Sequence, residues 1–391
     1  MFISLAKLNI IIYLFYYTWY QEIWGASPIM LYLTSFFSIG FVLLDILSTK
    51  KIIIKETDNF IKMYIFFGLY ALITGIFVCI DINVFFKSYF RYFSFVLLLY
   101  SIWYVCHKNK SIDWLISTIF ITSLLCAFTS LFFGKAYQVE VLVTTMSQIN
   151  NPNTLGLSMI MGIFATILNL KKMSKYFLLS YSSIMIFLLV IIRCGSRKSL
   201  FAGITLVVLW LIEFLSNKSY NKLNKKKLIS YLIIGMSIIF AYNYVVNHYL
   251  NSTSFERLLK LFGENGTTGR IQLYKWAIEY WKTSPLFGIG LDQYKILCPY
   301  GYFSHSAYAE LLSCTGIFGI IIFFFPIISL IFKLLKTYFI KKQISYTAKI
   351  SLLMILIELF LGIGQVYTFS FQHLLIFFCI SFLAESELRK I

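Results

Sequence analysis

Charged residues are scarce in this chain, and acidic ones are the scarcest. Only 13% of the 391 residues are charged, and 16 acidic residues face 34 basic ones. Hydrophobic residues make up 59% of the chain, and the mean hydropathy is +0.80. Because a typical soluble domain is about 25% charged, this shortage excludes an ordinary soluble domain and favours a protein that folds in lipid.

Several motifs of soluble enzymes are also missing. The seven cysteines form no Cys-x-x-Cys pair, so neither a zinc site nor a disulfide framework is indicated. Gly288-Ile289-Gly290 is not followed by Gly-Lys-Ser/Thr and therefore predicts a tight turn instead of a phosphate-binding loop. The four histidines are not grouped as metal ligands. We therefore expect no metal site and no cofactor.

Long apolar runs are what the chain has instead. They recur close to the bilayer-spanning length of about 17 to 25 residues. The predicted spans are Phe2–Tyr20, Pro28–Ser48, Phe60–Ile80, Ser88–Cys106, Ile112–Phe133, Asn153–Leu170, Phe177–Ile192, Lys198–Leu215, Leu228–Val246, Ser306–Phe332, Ile350–Gly364 and Phe369–Leu383. We expect an all-α polytopic membrane protein of about twelve helices, with the first helix retained because no small-residue cleavage site follows it.

Basic residues are concentrated in every second loop between these runs, at 50–55, 108–110, 171–175, 218–227, 333–342 and 389–390. Short basic loops stay on the cytoplasmic side of a membrane. Both termini are therefore predicted to be cytoplasmic. The net charge of +18 reflects this topology, and we expect no nucleic-acid partner.

One outer loop is much longer than the others. We predict transmembrane helices 1–9 in residues 1–246, the long outer loop in residues 247–304, and helices 10–12 in residues 305–391. Within the loop, a helix from Arg270 to Lys282 is predicted to be amphipathic and to lie against the membrane or the top of the bundle. Its apolar face would contain Ile271, Tyr274, Ile278 and Trp281.

Cationic residues also occur where the positive-inside pattern predicts few. Arg193, Arg197 and Lys198 cluster at the predicted outer ends of the seventh and eighth spans, and Arg270 begins the loop helix. Guanidinium groups and helix N-termini both bind phosphate oxygens, so these residues could hold a diphosphate. The alternatives are side chains that snorkel to lipid headgroups and an ordinary solvated loop arginine.

His305, at the boundary between the loop and the tenth span, is the best candidate for a general base, because imidazole exchanges a proton near neutral pH. A structural histidine is the alternative. We expect Tyr302 and Glu310 on either side of it to contact substrate. Asn151 and Asn153 could line a polar pocket, although Asn-Pro is also a common start of a helix.

The order of these motifs resembles the O-antigen polymerase and O-antigen ligase superfamily. The resemblance extends mainly from Asn150 to Phe325. It rests on Asn-Pro-Asn before a span, Gly195-Ser196-Arg197, Gly269-Arg270, Pro285-Leu286-Phe287-Gly288-Ile289-Gly290, Ser304-His305-Ser306, Glu310 and Gly316-Ile317-Phe318-Gly319. The family usually has His-Asn where this chain has His305-Ser306.

This resemblance implies a GT-C-like, metal-independent glycosyltransferase in the bacterial cytoplasmic membrane. Its substrate would be an oligosaccharide carried on undecaprenyl diphosphate at the outer face, and a chain-length regulator is a further candidate partner. By the same resemblance, Arg197 and Arg270 face the diphosphate, and His305 is the loop histidine of the family.

Within the superfamily we expect a polymerase of O-antigen or capsular repeat units, because the bias toward Phe, Ile, Tyr, Lys and Asn resembles chains from sugar-specific polysaccharide clusters. A ligase that transfers polysaccharide to the lipid A core is the first alternative. A lipid-linked sugar flippase or transporter is the second. A metal-dependent GT-C enzyme would resemble a pattern with acidic residues in the first outer loop, where only Glu22 lies.

Overall fold

The computed structural model describes residues 1–20, 27–49, 59–133, 152–170, 177–216, 268–341, 345–367 and 370–388. Its helices are α1 (Phe2–Phe15), α2 (Pro28–Thr49), α3 (Asn59–Val78), α4 (Ile82–Lys108), α5 (Asp113–Phe133), α6 (Pro152–Leu170), α7 (Phe177–Cys194), α8 (Arg197–Ser216), α9 (Thr268–Thr283), α10 (Gln293–Leu297), α11 (Ala307–Lys341), α12 (Tyr346–Leu361) and α13 (Phe371–Leu388). A short π-helix, Tyr16–Tyr20, follows α1.

Eight of the helices in this described part of the chain are long and apolar enough to cross a membrane. They are α1 with its π-helical extension, α2, α3, α4, α5, α6, α11 and α13. Three further helices, α7, α8 and α12, coincide with three further predicted spans. The predicted all-α, multi-pass membrane fold is confirmed. The predicted ninth span, Leu228–Val246, lies outside the described residues, and the sidedness of the termini stays a prediction.

The chain divides into two compact units. The first contains Met1–Leu14, Ser27–Leu115 and Gly269–Ile391, and the second contains Phe15–Ala26 and Ile116–Thr268. Our division of the sequence at residues 246 and 304 follows membrane segments instead and stays a prediction.

Aromatic side chains form much of the core of the first unit. The ring centroids of Tyr64 and Phe67 on α3 lie 5.0 and 5.2 Å from that of Phe323 on α11. Further along α3, the Tyr70 hydroxyl donates to the Thr315 carbonyl, which lies earlier in α11, at 2.7 Å. The two helices are therefore antiparallel. The turn between α3 and α4 consequently lies at the same end of this unit as the start of α11, and we call it the His305 end.

Helix α11 is interrupted at Gly316, whose φ of 66° is left-handed. The segment Pro285–Gly290 fills the interruption by pairing its backbone with that of α11. Ile289 and Gly290 donate to the carbonyls of Ser313 and Cys314, and Ile317 and Phe318 donate to those of Pro285 and Leu286, at 2.9–3.3 Å. Backbone groups at membrane depth must be satisfied within the protein. The predicted turn around Gly288 thus also supplies hydrogen-bond partners to the backbone groups at the interruption of α11.

Loop helix α9 is confirmed, but its packing differs from the expectation. The face that packs on the protein contains Leu273, Trp276, Ala277 and Tyr280. Of the predicted apolar face, Ile271 and Ile278 are left outward, 47% and 44% exposed, whereas the Tyr274 hydroxyl bonds to the protein. The packed face of α9 is therefore rotated from the predicted one. For Ile271 and Ile278, the membrane interface remains the environment that suits their apolar side chains.

Candidate functional site

His305 lies in a strained turn between two buried serines. Its φ of 57° is left-handed, which is uncommon for a residue with a side chain. Ser304 and Ser306 are buried, whereas His305 is exposed. Such strained positions persist only where surrounding bonds impose them, and they often mark functional sites. The turn therefore presents the imidazole outward.

Two local interactions impose that turn. The Glu310 carboxylate, buried at 1% exposure, accepts the backbone N–H of Ser304 at 2.7 Å, and the Ser304 hydroxyl donates to the Ser306 carbonyl at 3.0 Å. Ser306 accepts the Ala309 N–H at 3.4 Å as the cap of α11. Serine and asparagine are both favoured at helix N-caps, so His305-Ser306 retains the cap that His-Asn would provide.

Arg270 is exposed in the first turn of α9. One helical turn later, the Tyr274 hydroxyl donates to the Ile363 carbonyl at 2.9 Å. Given a rise of about 1.5 Å per residue, the Arg270 backbone lies roughly 6 Å along the helix axis from the Tyr274 backbone. The start of α9 is thereby anchored to the turn that follows α12.

The His305 loop is anchored to the same turn. The N–H of Ala307 donates to the Gly362 carbonyl at 2.8 Å, and the Tyr308 hydroxyl donates to the Leu359 carbonyl at 2.6 Å. Residues 362 and 363 therefore hold both the loop that carries His305 and the helix that carries Arg270. Within the first unit, the two elements that carry these predicted site residues are therefore anchored to one turn.

The second unit contains the other predicted cations, at the junction of α7 and α8. Gly195 has a left-handed φ of 70° and makes the turn. Arg193 Nη1 donates to the Leu131 carbonyl at 2.6 Å, and Arg197 and Lys198, both half-exposed, begin α8. The positive end of the helix dipole lies at the helix N-terminus and repels cations there. A bound anion would relieve that repulsion.

Asn153 lies next to this junction. Its Oδ1 accepts a hydrogen bond from Ser196, the neighbour of Arg197, at 3.0 Å. The structure thus brings Asn153 to the predicted cation cluster of the second unit. Asn151 lies outside the described residues.

Tyr302 and Glu310 differ in accessibility. Tyr302 is 61% exposed and stands three residues before His305. The Glu310 carboxylate accepts a hydrogen bond from the loop that holds His305 and a weak one from the Cys314 thiol at 3.9 Å. Contact with substrate stays a prediction for both residues.

Residues 182–324 match the family model described as O-Antigen ligase. This range contains Arg193, Arg197, Arg270 and His305, together with the paired segments at 285–290 and 313–318. The match confirms the resemblance to the O-antigen polymerase and ligase superfamily. It supports an O-antigen ligase- or polymerase-like function and, broadly, an enzyme that transfers glycosyl groups. A comparison with curated proteins gives no match.

Sequence reasoning missed a buried acid–base pair that lies outside the range matched by the superfamily. His373 Nδ1 and Glu358 Oε2 are 2.6 Å apart, and both side chains are fully enclosed. The Tyr367 hydroxyl and the Gly362 N–H both bond to the Glu358 carbonyl. Glu358 therefore lies one helical turn before the turn at 362–363. The sequence signal that could have indicated the pair was a glutamate and a histidine inside apolar runs. Ionisable side chains are costly in a membrane unless they are paired.

A second missed group surrounds Asp292, which has a left-handed φ of 64°. Ser88 on α4 donates to Asp292 Oδ2 at 2.7 Å. Burial raises the pKa of the Asp292 carboxyl above its ordinary value, while the Ser88 bond and the charges of Lys295, Arg91 and Lys87 oppose that rise. The carboxyl thus lies within a group of cations at the His305 end.

Proposed function

We propose that the protein is a polymerase of undecaprenyl-diphosphate-linked oligosaccharide repeat units, acting at the outer face of a bacterial cytoplasmic membrane. The growing chain on one carrier lipid would be the glycosyl donor, and a new lipid-linked repeat unit would be the acceptor. The match to the O-antigen ligase family model supports the class of reaction.

In the proposed step, a hydroxyl of the acceptor sugar attacks the anomeric carbon of the donor from the side opposite the diphosphate. The new C–O bond forms as the bond to the diphosphate breaks, so the configuration inverts. His305 takes the proton of the attacking hydroxyl. The released diphosphate carries the bonding electrons away, and Arg270 and Arg197 stabilise its developing charge without a metal.

The observation that carries this proposal is the common anchor of Arg270 and His305. Catalysis by positioned groups requires the base and the anion-stabilising cation to be fixed relative to each other. Tyr274 and Ala307 bond to neighbouring carbonyls and so fix the two elements on one turn. Arg197 belongs to the second unit, and its role is proposed from the superfamily resemblance.

Purified protein in detergent, given a defined lipid-linked repeat unit and a chelator, tests the assignment. We expect Arg197→Ala, Arg270→Ala and His305→Ala each to lower kcat by roughly a hundredfold or more. Lys282→Ala is the matched control, because this exposed cation lies at the far end of the helix that carries Arg270. Unchanged products from all three variants would reject the assigned site.

A ligase is the second candidate, because the matching family model carries that description. The two activities differ in the acceptor, which is a lipid-linked repeat unit for a polymerase and the lipid A core for a ligase. Deletion of the gene separates them. Loss of a polymerase leaves single-repeat products, whereas loss of a ligase leaves long chains on the carrier lipid.

A flippase or transporter receives less support. Transporters commonly use paired interrupted helices that line a central binding site. Within the described residues, the interruption of α11 at Gly316 is filled by the protein's own Pro285–Gly290 segment. That interruption is therefore occupied by backbone.

A further inference from the structure

Three cations lie at the His305 end of the first unit and have no part in the proposed step. The bond between Ser88 and Asp292 holds the second turn of α4 against the start of α10. Lys87 precedes Ser88, Arg91 follows one turn later, and Lys295 lies on α10. Lys87 and Lys295 are exposed, and Arg91 is half-exposed. We call Lys87, Arg91 and Lys295 the Asp292 cations.

The backbone that carries these cations is firmly positioned. Gln293, fully buried, accepts the N–H groups of Ile80 and Asp81 at 3.0 and 2.8 Å and donates to the Asp81 carbonyl at 3.0 Å. This side chain locks the start of α10 onto the turn between α3 and α4. The cations on the two helices are thus carried by elements that are fixed to each other.

Both signs of charge occur at this place. Asp292 is a carboxylate on which all three cations act, and the buried Glu310 carboxylate interacts electrostatically with Asp292. The Asp81 carboxylate caps the first turn of α4. Lys87 and Lys295 are nevertheless exposed, so their ammonium groups are accessible to an external anion. A diphosphate that joins a lipid to a sugar carries one negative charge on each phosphate group and would interact favourably with these cations.

The Asp292 cations also adjoin the His305 loop. The Lys295 ammonium lies 5.2 Å from the ring centroid of Phe303, two residues before His305. Lys87 and Arg91 belong to a helix of membrane-spanning length, where cations are costly and commonly serve a function. An anion bound by them would lie beside the proposed base while remaining distinct from Arg270.

We propose that Lys87, Arg91 and Lys295 bind the diphosphate of the acceptor lipid. This inference rests on the proposed polymerase function, because that reaction joins two lipid-linked substrates. The donor diphosphate leaves, whereas the acceptor diphosphate keeps all its bonds and needs only to be held. Asp292 orders the cations through its charge, and Ser88 holds Asp292 in place.

Steady-state kinetics with a defined lipid-linked donor and a separate lipid-linked acceptor test this site. We expect Lys87→Ala, Arg91→Ala and Lys295→Ala each to raise the acceptor KM roughly tenfold, the effect of one charge-assisted hydrogen bond. The donor KM and kcat should change less than about twofold. Arg91→Lys should retain most of the acceptor affinity, and Lys275→Ala, on the exposed side of α9, is the control.

An unchanged acceptor KM in the Lys87→Ala/Arg91→Ala/Lys295→Ala variant would overturn the proposal. So would an equal rise in the KM of both substrates, which would indicate a general effect on the fold. Thermal unfolding in detergent must show that this triple variant is folded. If it is not, the three single variants decide the question.

Direct binding separates this inference from the proposed function. Titration of the His305→Ala protein with undecaprenyl diphosphate should show two bound lipids per chain, and the added triple substitution should remove one. We expect this binding result even if the wild-type protein forms no polymer. A lack of polymer would then reject the proposed polymerase function but not the proposed binding site. Displacement of that lipid by equimolar phosphatidylglycerol or inorganic phosphate would show a general phosphate site and overturn the proposal.

Discussion

Tyr274 and Ala307 donate hydrogen bonds to adjacent carbonyl groups, those of Ile363 and Gly362, at 2.9 and 2.8 Å. Tyr274 lies one turn after Arg270, and Ala307 lies two residues after His305. A turn that carries no proposed catalytic group thus sets the positions of two that do. This relationship predicts that changes remote from the chemistry alter the rate.

Replacement of Tyr274 by phenylalanine removes the bond to Ile363 and keeps the ring. We expect kcat to fall roughly tenfold or more, because a small displacement of a positioned group is costly, while the free energy of unfolding falls by only about 1 kcal/mol. Tyr280→Phe is the matched control on the same helix, since its hydroxyl bonds to the Leu297 carbonyl. Equal kcat values for the two variants would contradict this account of the anchor.

Glu310 provides a test of positioning against substrate contact. Glu310→Ala leaves the Ser304 N–H buried without an acceptor, at a cost of about 1–3 kcal/mol, and should release the His305 turn and lower kcat. Glu310→Gln keeps an acceptor oxygen and should retain most activity. If glutamine proves as damaging as alanine and the acceptor KM rises, the carboxylate contacts substrate directly.

Gly316→Ala should destabilise the protein by about 3 kcal/mol or more, through left-handed strain and overlap. A Cβ at this position would collide with the Leu286 carbonyl of the paired segment. Thermal or denaturant unfolding in detergent measures the effect. Gly301→Ala is the control, because Gly301 has a similar φ of 62° but open space around the added Cβ. Similar losses for the two variants would contradict the backbone pairing.

The buried pair predicts a non-additive effect on stability. Glu358→Leu or His373→Phe alone leaves one polar partner enclosed and should cost about 3–5 kcal/mol. The double variant replaces both by apolar groups and should recover most of that loss, because burial of an ion pair has its own desolvation cost. Additive losses in a double-mutant cycle would show that the two side chains do not interact.

The sequence predicted the spanning helices closely because their signal is local. Apolar length marks each helix, and lysines follow one of its two ends, as at α2, predicted at Pro28–Ser48 and observed at Pro28–Thr49. His305 and Arg270 were also proposed from local features, namely motifs that adjoin helix starts, and their roles stay predictions. Helix boundaries and these motifs depend on residues that are close together in the chain, so they can be identified from the sequence alone.

Contacts between distant segments were missed. Glu358 and His373 lie on different helices, so their positions in the sequence do not indicate that the two side chains are in contact. Leu273 and Ala277 share α9 with an equally periodic apolar stripe at Ile271 and Ile278, and periodicity could not tell which face meets protein. The sequence also gave no indication that the Pro285–Gly290 and Gly316–Gly319 motifs pair with each other, which explains why both need glycine.

The most direct measurement is the size of the products that purified protein makes from a single lipid-linked repeat unit in the presence of a chelator, with lipid A core supplied in a parallel reaction. We predict a ladder of lipid-linked oligomers in both reactions. Unextended repeat units in the first reaction, with transfer to the lipid A core in the second, would contradict the proposed polymerase.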